Sequence, residues 1–187
     1  MARQSNTLRI IGGTHRGRKL SFVDAKGLRP TPDRMRETLF NWLQPLIEGA
    51  RCLDLFAGSG ALGLEALSRG ASDAVFVERD GKAAKRLGEN LQLLGYDAKQ
   101  CHAQTAQSFL DANPEPFDIV FLDPPYQSDL LQQVIERLDK GWLAGGGRIY
   151  MEHDSHHARP ELPANWTVLK ERKAGQVTAL LLEVTAA

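Results

Sequence analysis

From Arg51 onward, short apolar runs alternate with longer segments in which apolar residues recur at helical spacing. The apolar runs are predicted to form strands: Arg51–Phe56, Ala74–Glu78, Ala98–His102, Phe117–Leu122 and Gly147–Glu152. The longer segments are predicted to form helices: Ala61–Arg69, Gly81–Leu94, Thr105–Ala112 and Ser128–Lys140. Strands that alternate with helices are typical of parallel βαβ units, whose right-handed crossovers place helices on both faces of the sheet.

Two further pairs of apolar runs have the spacing of hairpins. Trp166–Arg172 and Val177–Val184 flank a short turn that contains Gly175, which predicts an antiparallel hairpin at the end of the sheet. Near the start of the chain, Leu8–Ile11 and Lys19–Val23 predict a smaller hairpin. We therefore expect an α/β fold with a mostly parallel sheet, a C-terminal antiparallel hairpin and a small N-terminal β extension.

The segment that precedes Arg51 is predicted to be a helix. Thr31 has the side chain of an N-cap residue, and Pro32 would then take the first helical position. Pro45 is expected to end or kink this helix. Apolar residues at helical spacing give the segment one face for packing: Met35, Leu39, Trp42, Leu43 and Leu46.

Charge is distributed unevenly along the chain, although 23 Lys and Arg against 23 Asp and Glu make it neutral overall. The first 36 residues contain nine Lys or Arg and two acids, whereas the remaining 151 contain 14 and 21. A basic segment on an acidic body predicts contact with a polyanion, and the candidate phosphate contacts lie in the N-terminal hairpin: Arg9, Arg16, Arg18 and Lys19. We divide the chain into a basic extension over 1–30, which we expect to contact the polyanion, and a main domain over 31–187.

Other features of the 187-residue sequence exclude several classes of protein. The apolar runs are too short for a membrane span, and no N-terminal segment has the composition of a signal peptide. Cys52 and Cys101 offer no metal-ligand spacing. A short segment before Pro160 contains a cluster of metal-binding residue types, but we expect its histidines on the solvated surface instead: Glu152, His153, His156 and His157. The sequence predicts a soluble, cytoplasmic protein without a metal.

The segment Leu53–Gly63 ends a strand, turns on glycines and enters a helix. Gly58, Gly60 and Gly63 have the G-x-G-x-x-G spacing, which allows a tight turn and close approach of a ligand at a helix N-terminus. Glu78 ends the next strand, where a carboxylate can bind both hydroxyls of a ribose. The sequence therefore predicts a site for a nucleoside cofactor.

Asp54 distinguishes between two kinds of nucleoside cofactor. It lies four residues before Gly58, close to where a dinucleotide places its pyrophosphate. A carboxylate there repels a pyrophosphate but attracts the ammonium of an amino acid, as in S-adenosylmethionine. Asp54 could also cap nearby backbone amides. The residue favours S-adenosylmethionine, and an NAD-dependent oxidoreductase stays open as an alternative.

The predicted strand Phe117–Leu122 runs directly into Asp123-Pro124-Pro125-Tyr126. Two prolines end the strand and supply no N–H, which leaves carbonyls, a carboxylate and an aromatic ring at the carboxyl edge of the sheet. Such a site suits a planar group with an NH₂, whose hydrogens are accepted by Asp123 and the Pro124 carbonyl while Tyr126 stacks on the ring. We assign Asp123, Pro124 and Tyr126 as catalytic residues.

Together these motifs resemble the RsmD family of bacterial 16S rRNA guanine-N2 methyltransferases, which are class I S-adenosylmethionine-dependent enzymes. The matching segments extend over nearly the whole chain: Arg9–Leu20, Arg29–Leu43, Leu53–Gly63, Asp123–Tyr126 and Ala174–Val177. The resemblance implies a Rossmann-like methyltransferase fold with a mostly parallel seven-stranded sheet. It also implies that the partner is 16S rRNA, in the small ribosomal subunit or its assembly intermediate, with guanine 966 as the family's target. We expect a monomer, since the enzyme would dock on a large particle.

The resemblance further implies a set of residues that bind S-adenosylmethionine: Arg29, Thr31, Asp54, Phe56, Gly58, Ser59, Gly60, Glu78, Arg79, Thr105 and Ala106. In this set Arg29 and Thr31 lie over the methionine end of the cofactor and Glu78 binds its ribose. One position departs from the family's pattern. Relatives usually have an acidic or amide residue where adenine N6 is bound, whereas this chain has Thr105, for which Gln104 could substitute.

In the implied reaction the cofactor supplies a methyl group activated for in-line displacement. Hydrogen bonds from guanine N2 to Asp123 and to the Pro124 carbonyl would orient the nitrogen lone pair and stabilise the developing charge. With the ordinary Asp pKa of about 3.9, Asp123 is expected to be a weak base, and the N2 proton is expected to leave during or after transfer. Two alternatives stay open: a DNA or protein-glutamine amino-methyltransferase with the same strand tip, and a non-catalytic RNA-binding assembly factor.

Overall fold

A computed structural model describes residues 6–23, 31–125 and 128–186. Two predicted site residues, Arg29 and Tyr126, lie outside the described residues. The N-terminal hairpin is present and consists of strands β1 (Thr7–Arg9) and β2 (Lys19–Ser21), which pair antiparallel.

The main sheet has seven strands: β3 (Arg51–Asp54), β4 (Asp73–Val77), β5 (Cys101–His102), β6 (Phe117–Leu122), β7 (Leu143–Asp154), β8 (Trp166–Ala174) and β9 (Val177–Val184). Their order across the sheet is β5-β4-β3-β6-β7-β9-β8. The first five strands in this order, β5, β4, β3, β6 and β7, are parallel, and β9 is antiparallel to both β7 and β8. This topology confirms the predicted Rossmann-like sheet with its C-terminal antiparallel hairpin.

Helices cover both faces of the sheet: α1 (Asp33–Ile47), α2 (Ala61–Ser68), α3 (Gly81–Leu93), α4 (Ala106–Leu110) and α5 (Ser128–Leu138). One buried apolar cluster joins α1, α2 and α3 to one face of the sheet and includes Leu8, Ile10 and Leu20 of the N-terminal segment. A second cluster joins α4 and α5 to the other face. No helix of the described ranges is long and apolar enough to cross a membrane.

Several element boundaries differ from the prediction. The Pro32 carbonyl accepts hydrogen bonds from the N–H groups of Met35 (2.9 Å) and Arg36 (3.1 Å), so Pro32 is the N-cap of α1. The prediction that Thr31 caps this helix was therefore wrong. The helix continues through Pro45 and ends two residues later. β5 is shorter than predicted because 98–100 form a 3-10 turn.

The buried carboxylate of Glu65 on α2 is one of several groups that hold the N-terminal hairpin on the main domain by hydrogen bonds. Its two oxygens accept hydrogen bonds from the backbone N–H of Ile11 at 3.0 Å and of Gly12 at 2.8 Å. The same carboxylate pairs with Arg69 at 2.8 Å and with the buried Arg36 at 3.6 Å. Breaking a buried network of this kind leaves unpaired charges away from water, which makes it costly to remove.

Candidate functional site

A cavity of about 700 Å³ opens at the carboxyl ends of β3, β4, β6 and β7. Ligands bind at this edge in open α/β sheets because the connecting loops diverge there. Most of the described residues predicted for the site line this cavity: Thr31, Asp54, Phe56, Gly58, Ser59, Glu78, Arg79, Thr105, Ala106, Asp123 and Pro124. The structure therefore brings two separate sequence motifs, the glycine loop and the Asp-Pro-Pro segment, into one site.

The glycines of the loop have different roles. Gly58 (φ +56°) and Gly60 (φ +81°) adopt the left-handed conformation that favours glycine. Gly58 lines the cavity, whereas Gly60 is the N-cap of α2 and faces the core, where an added Cβ would lie 2.4 Å from Leu87 Cδ1. At Gly63 an added Cβ would lie 2.3 Å from the Phe76 ring. Gly60 and Gly63 therefore shape the turn and let α2 pack closely.

Asp54 ends β3 and is 3% exposed. Its Oδ2 accepts a hydrogen bond from the Gly63 N–H at 3.0 Å, so the residue does cap a backbone amide. Burial raises the pKa of Asp54 to about 7, against the opposing effect of that hydrogen bond. A bound cation would favour the ionised form. Asp54 thus has a structural role, and its carboxylate could also bind a cationic group.

Glu78 lies where β4 meets the glycine loop. Its Oε2 accepts from the Gly58 N–H at 2.8 Å and its Oε1 from the Asp80 N–H at 2.9 Å. These bonds fix the carboxylate at the cavity wall without using all of its acceptor sites, since an ionised carboxylate has about four. The hydroxyls of a ribose could bind to the sites that remain.

The cavity has a strongly acidic lining. Six of its described residues are acids, and one, Arg79, is a cation; the acids are Asp54, Glu78, Asp80, Asp123, Asp129 and Glu152. A cleft lined by one sign of charge concentrates ligands of the opposite sign. The arrangement suits a ligand that carries positive charge and disfavours a pyrophosphate.

Asp123 does not have the ordinary acidity that the sequence led us to expect. Its pKa is raised well above the usual value by burial, by the adjacent charge of Glu152 and by a hydrogen bond between the two carboxyls, with a smaller contribution from Asp54. The assumption that Asp123 is a weak base with a pKa of about 3.9 was therefore wrong. Besides burial, the raised pKa is caused by Glu152, a neighbour on β7.

That neighbour, Glu152, was predicted to lie in a strand but was given no part in the site. β7 extends to Asp154 and places Glu152 in the cavity wall. His156 and His157 are exposed as expected. The missed signal was the alternation in the strand, which places Tyr150 and Glu152 on the same side of β7.

The residues expected near the adenine lie at the start of α4. The Thr105 hydroxyl accepts a hydrogen bond from the Ser108 N–H at 3.1 Å and acts as the N-cap, which leaves its own hydrogen for donation. Gln104 also lines the cavity, and its Oε1 accepts from the Ser108 hydroxyl at 3.3 Å. Both side chains are available where the sequence left the adenine contact open.

The predicted RNA contacts lie outside the cavity, on the N-terminal hairpin. All four side chains are exposed: Arg9, Arg16, Arg18 and Lys19. Within the described part of the chain, none of them is in an ion pair, whereas Arg51, Arg69 and Arg137 are paired with carboxylates. The hairpin therefore presents cations that are free to bind phosphate.

Comparison with known proteins adds to this description. The chain matches the family model described as conserved hypothetical protein 95 over residues 8–183. It is 49% identical over 180 residues to the ribosomal RNA small subunit methyltransferase D of Escherichia coli strain K12, an alignment that covers 96% of this chain and 91% of that protein. The solved structure of Escherichia coli yhhF, named as a methyltransferase, matches with a TM-score of 0.90 at 45% identity, covering 97% of this chain and 99% of that one.

A more distant likeness is one of fold alone. The 16S rRNA N2 G1207 methyltransferase of Thermus thermophilus, solved in complex with AdoMet and guanosine, matches with a TM-score of 0.67 at 22% identity. The match covers 98% of this chain and 50% of that one.

Proposed function

The chain belongs to the conserved hypothetical protein 95 family, which includes the small subunit methyltransferase D proteins, and we propose that it methylates the exocyclic N2 of a guanine in 16S rRNA with S-adenosylmethionine. The observation that carries the proposal is the acidic cavity in which Asp123 and Pro124 lie next to the glycine loop. The name of the Escherichia coli relative supports a small-subunit rRNA as substrate. Guanine 966 is the target that we propose within it.

The charges of the cavity support the choice of cofactor. S-adenosylmethionine has two cationic groups, and when bound it supplies a methyl group already activated for displacement. Asp54 would bind the ammonium, and Glu78, already positioned by two backbone N–H groups, would bind the ribose. Gln104 and Thr105 would contact the adenine. The acidic lining speaks against the pyrophosphate of NAD.

The Asp-Pro-Pro segment supports an amino group as the methyl acceptor. Asp123 and the Pro124 carbonyl are acceptors, and the prolines bring no N–H to the site. An NH₂ group held by these acceptors would have its lone pair oriented for attack, and the positive charge that develops on nitrogen would be stabilised. A base inside a helix or stack cannot reach such a cavity, which favours a splayed-out nucleotide.

The N-terminal hairpin supports a nucleic acid as the carrier of that base. The backbone that carries its exposed cations is held in place by hydrogen bonds to Glu65. Phosphate contacts of this kind position a nucleic acid without reading its sequence. We propose that Arg9, Arg16, Arg18 and Lys19 bind the rRNA backbone around the target nucleotide.

The proposal is tested by methyl transfer with tritiated cofactor onto total RNA, DNA and protein from a deletion strain, followed by nucleoside and amino-acid analysis. We expect label in N2-methylguanosine from 16S rRNA. Label in adenine, cytosine or glutamine would contradict the proposal, as would an absence of transfer. The Asp123→Ala variant is the control: it should lose roughly 10³–10⁴-fold in turnover and bind cofactor within a few-fold of wild type.

A further inference from the structure

Glu152 is a cavity acid that the reaction as described leaves without a role. Tyr150 Oη donates a hydrogen bond to Glu152 Oε1 at 2.5 Å. Sheet register places the same glutamate beside Asp123, because Leu122 of β6 pairs with Met151 of β7 and the next residue of each strand is an acid. The fold therefore brings two carboxyls together at the point where the methyl acceptor would sit.

The two carboxyls are neighbours in the cavity wall, since they follow paired residues of β6 and β7 and both line the cavity. Neighbouring carboxyls can retain one proton between them at a pH where a lone carboxyl would be ionised, because their two negative charges repel. Burial of Asp123 and the charge of Glu152 raise the pKa of Asp123 in the expected direction. A carboxyl with a raised pKa is a stronger base once it is ionised.

The surrounding groups act on this pair from three strands. Asp54 on β3 adds negative charge and raises the pKa of Asp123 further. Tyr150 on β7 donates a hydrogen bond to Glu152, the second carboxyl of the pair. Arg79, which follows β4, is the one cation among the described residues that line the cavity.

Resting on the proposed function, we propose that Asp123 and Glu152 act as one proton-accepting pair for the target amino group, with Tyr150 holding Glu152 in place. The N2–methyl bond forms as the sulfur–methyl bond breaks, and the electrons of the broken bond remain on sulfur. One N2 proton goes to the ionised pair, which becomes singly protonated and later releases that proton to water. Glu152 is thereby assigned a role in the proton transfer. From the sequence, Asp123 alone was expected to be a weak base.

Substitutions of Glu152 and of Tyr150 should move the pH dependence of the reaction in opposite directions. In wild type the single-turnover rate should rise with pH through the titration of the pair. Glu152→Gln removes the like charge, so this rise should move to lower pH by about one unit or more. Its rate at high pH should fall by roughly 10–100-fold, because a less basic acceptor remains. Tyr150→Phe removes a donor to the ionised form, so its rise should move to higher pH.

Three further measurements separate this role from a structural one. Cofactor Kd should stay within about three-fold of wild type in both variants, since neither residue is assigned to the cofactor. Glu171→Gln, an exposed glutamate on β8, is the matched control and should keep the wild-type rate within about two-fold at every pH. Carboxyl ¹³C NMR of the free protein should show Asp123 titrating above the ordinary range in wild type and at lower pH in Glu152→Gln.

The outcomes are decisive in either direction. An unchanged pH profile in Glu152→Gln, a shift in the same direction in both variants, or loss of cofactor binding would overturn the paired role. Asp123 titrating in the ordinary range by NMR would do the same. Absence of methyl transfer by the wild type contradicts the proposed function instead, and the NMR titration, which needs no RNA, then decides about the pair.

Discussion

The cavity and the N-terminal hairpin use their side chains and backbone in opposite ways. In the cavity, the carboxylates of Asp54 and Glu78 are bonded to backbone N–H groups of the protein itself. In the hairpin, the backbone N–H groups of Ile11 and Gly12 are bonded to Glu65, and the cationic side chains face solvent. In the cavity the charged side chains are therefore held by hydrogen bonds. In the hairpin the backbone is held by hydrogen bonds and the charged side chains are not.

The difference shows how one small chain can serve two ligands of opposite charge. The acidic cavity suits a cationic cofactor and a neutral nucleobase. The strength of binding there depends on the burial and the pKa of its carboxyls. The exposed hairpin suits a phosphate backbone, and its energetics depend on salt. Disturbing one region should leave the ligand of the other region bound.

The largest effect is expected where the hairpin joins the domain. Glu65→Ala removes the acceptor of two backbone N–H groups and leaves Arg36 buried without its carboxylate partner on α2. Breaking a buried ion pair costs about 3–5 kcal/mol. Urea unfolding of the variant should show a loss of that size. The matched control is Glu115→Ala, which removes an exposed partner of Arg51 and should cost less than about 1 kcal/mol.

Equal losses in these two variants would show that the hairpin is not anchored through Glu65. The contrast between the two regions would then be wrong, because it depends on Glu65 holding the hairpin backbone.

The second effect concerns the cost of burying the ionised carboxylate of Asp54. The folded pKa of Asp54, about 7, is above its unfolded value of 3.8, so the folded state binds the proton more tightly. Stability is therefore lost as pH rises from about 4 to about 7, by up to about 4 kcal/mol at 1.36 kcal/mol per pKa unit. Asp54→Asn lacks this loss and should unfold at a higher temperature than wild type at pH 8, but not at pH 4. A stability difference that does not change with pH would contradict the assignment.

A smaller effect is expected at the ribose position. Glu78→Ala removes a charged acceptor, and a hydrogen bond to a charged group contributes about 1.5–3 kcal/mol. Cofactor Kd measured by calorimetry should therefore rise roughly 10–100-fold, while RNA affinity stays unchanged. Normal cofactor binding by this variant would show that the end of β4 is not part of the cofactor site.

The sequence was sufficient to predict those parts of the site that depend on local pattern. The glycine loop and the Asp123–Pro125 segment are contiguous, and each follows a recognisable strand, so their shared edge could be inferred from parallel topology. The role of Glu152 was missed, although its strand was predicted, because its position next to Asp123 depends on the register of β7 with β6. The pairing of two distant carboxyls cannot be read from either segment alone.

Glu65 illustrates a second limit of the sequence. It lies in a short helix in which every residue is buried. The helix therefore has no polar face from which the burial of Glu65 could be predicted. Its partners at Ile11 and Gly12 are more than 50 residues away and contribute backbone groups, which leave no trace in the sequence. The hairpin could be predicted, but the carboxylate that anchors it could not.

The most direct test of the division between cavity and hairpin is RNA affinity across a salt series. Replacing Arg16, Arg18 and Lys19 with Ala should flatten the log–log salt slope by about 2, at about −0.7 per phosphate contact for single strands, and should raise the RNA KM. Cofactor Kd should be the same as in wild type, because none of the three replaced residues lines the cavity. An unchanged slope with unchanged RNA affinity would contradict the account, since the hairpin would then not bind the RNA backbone.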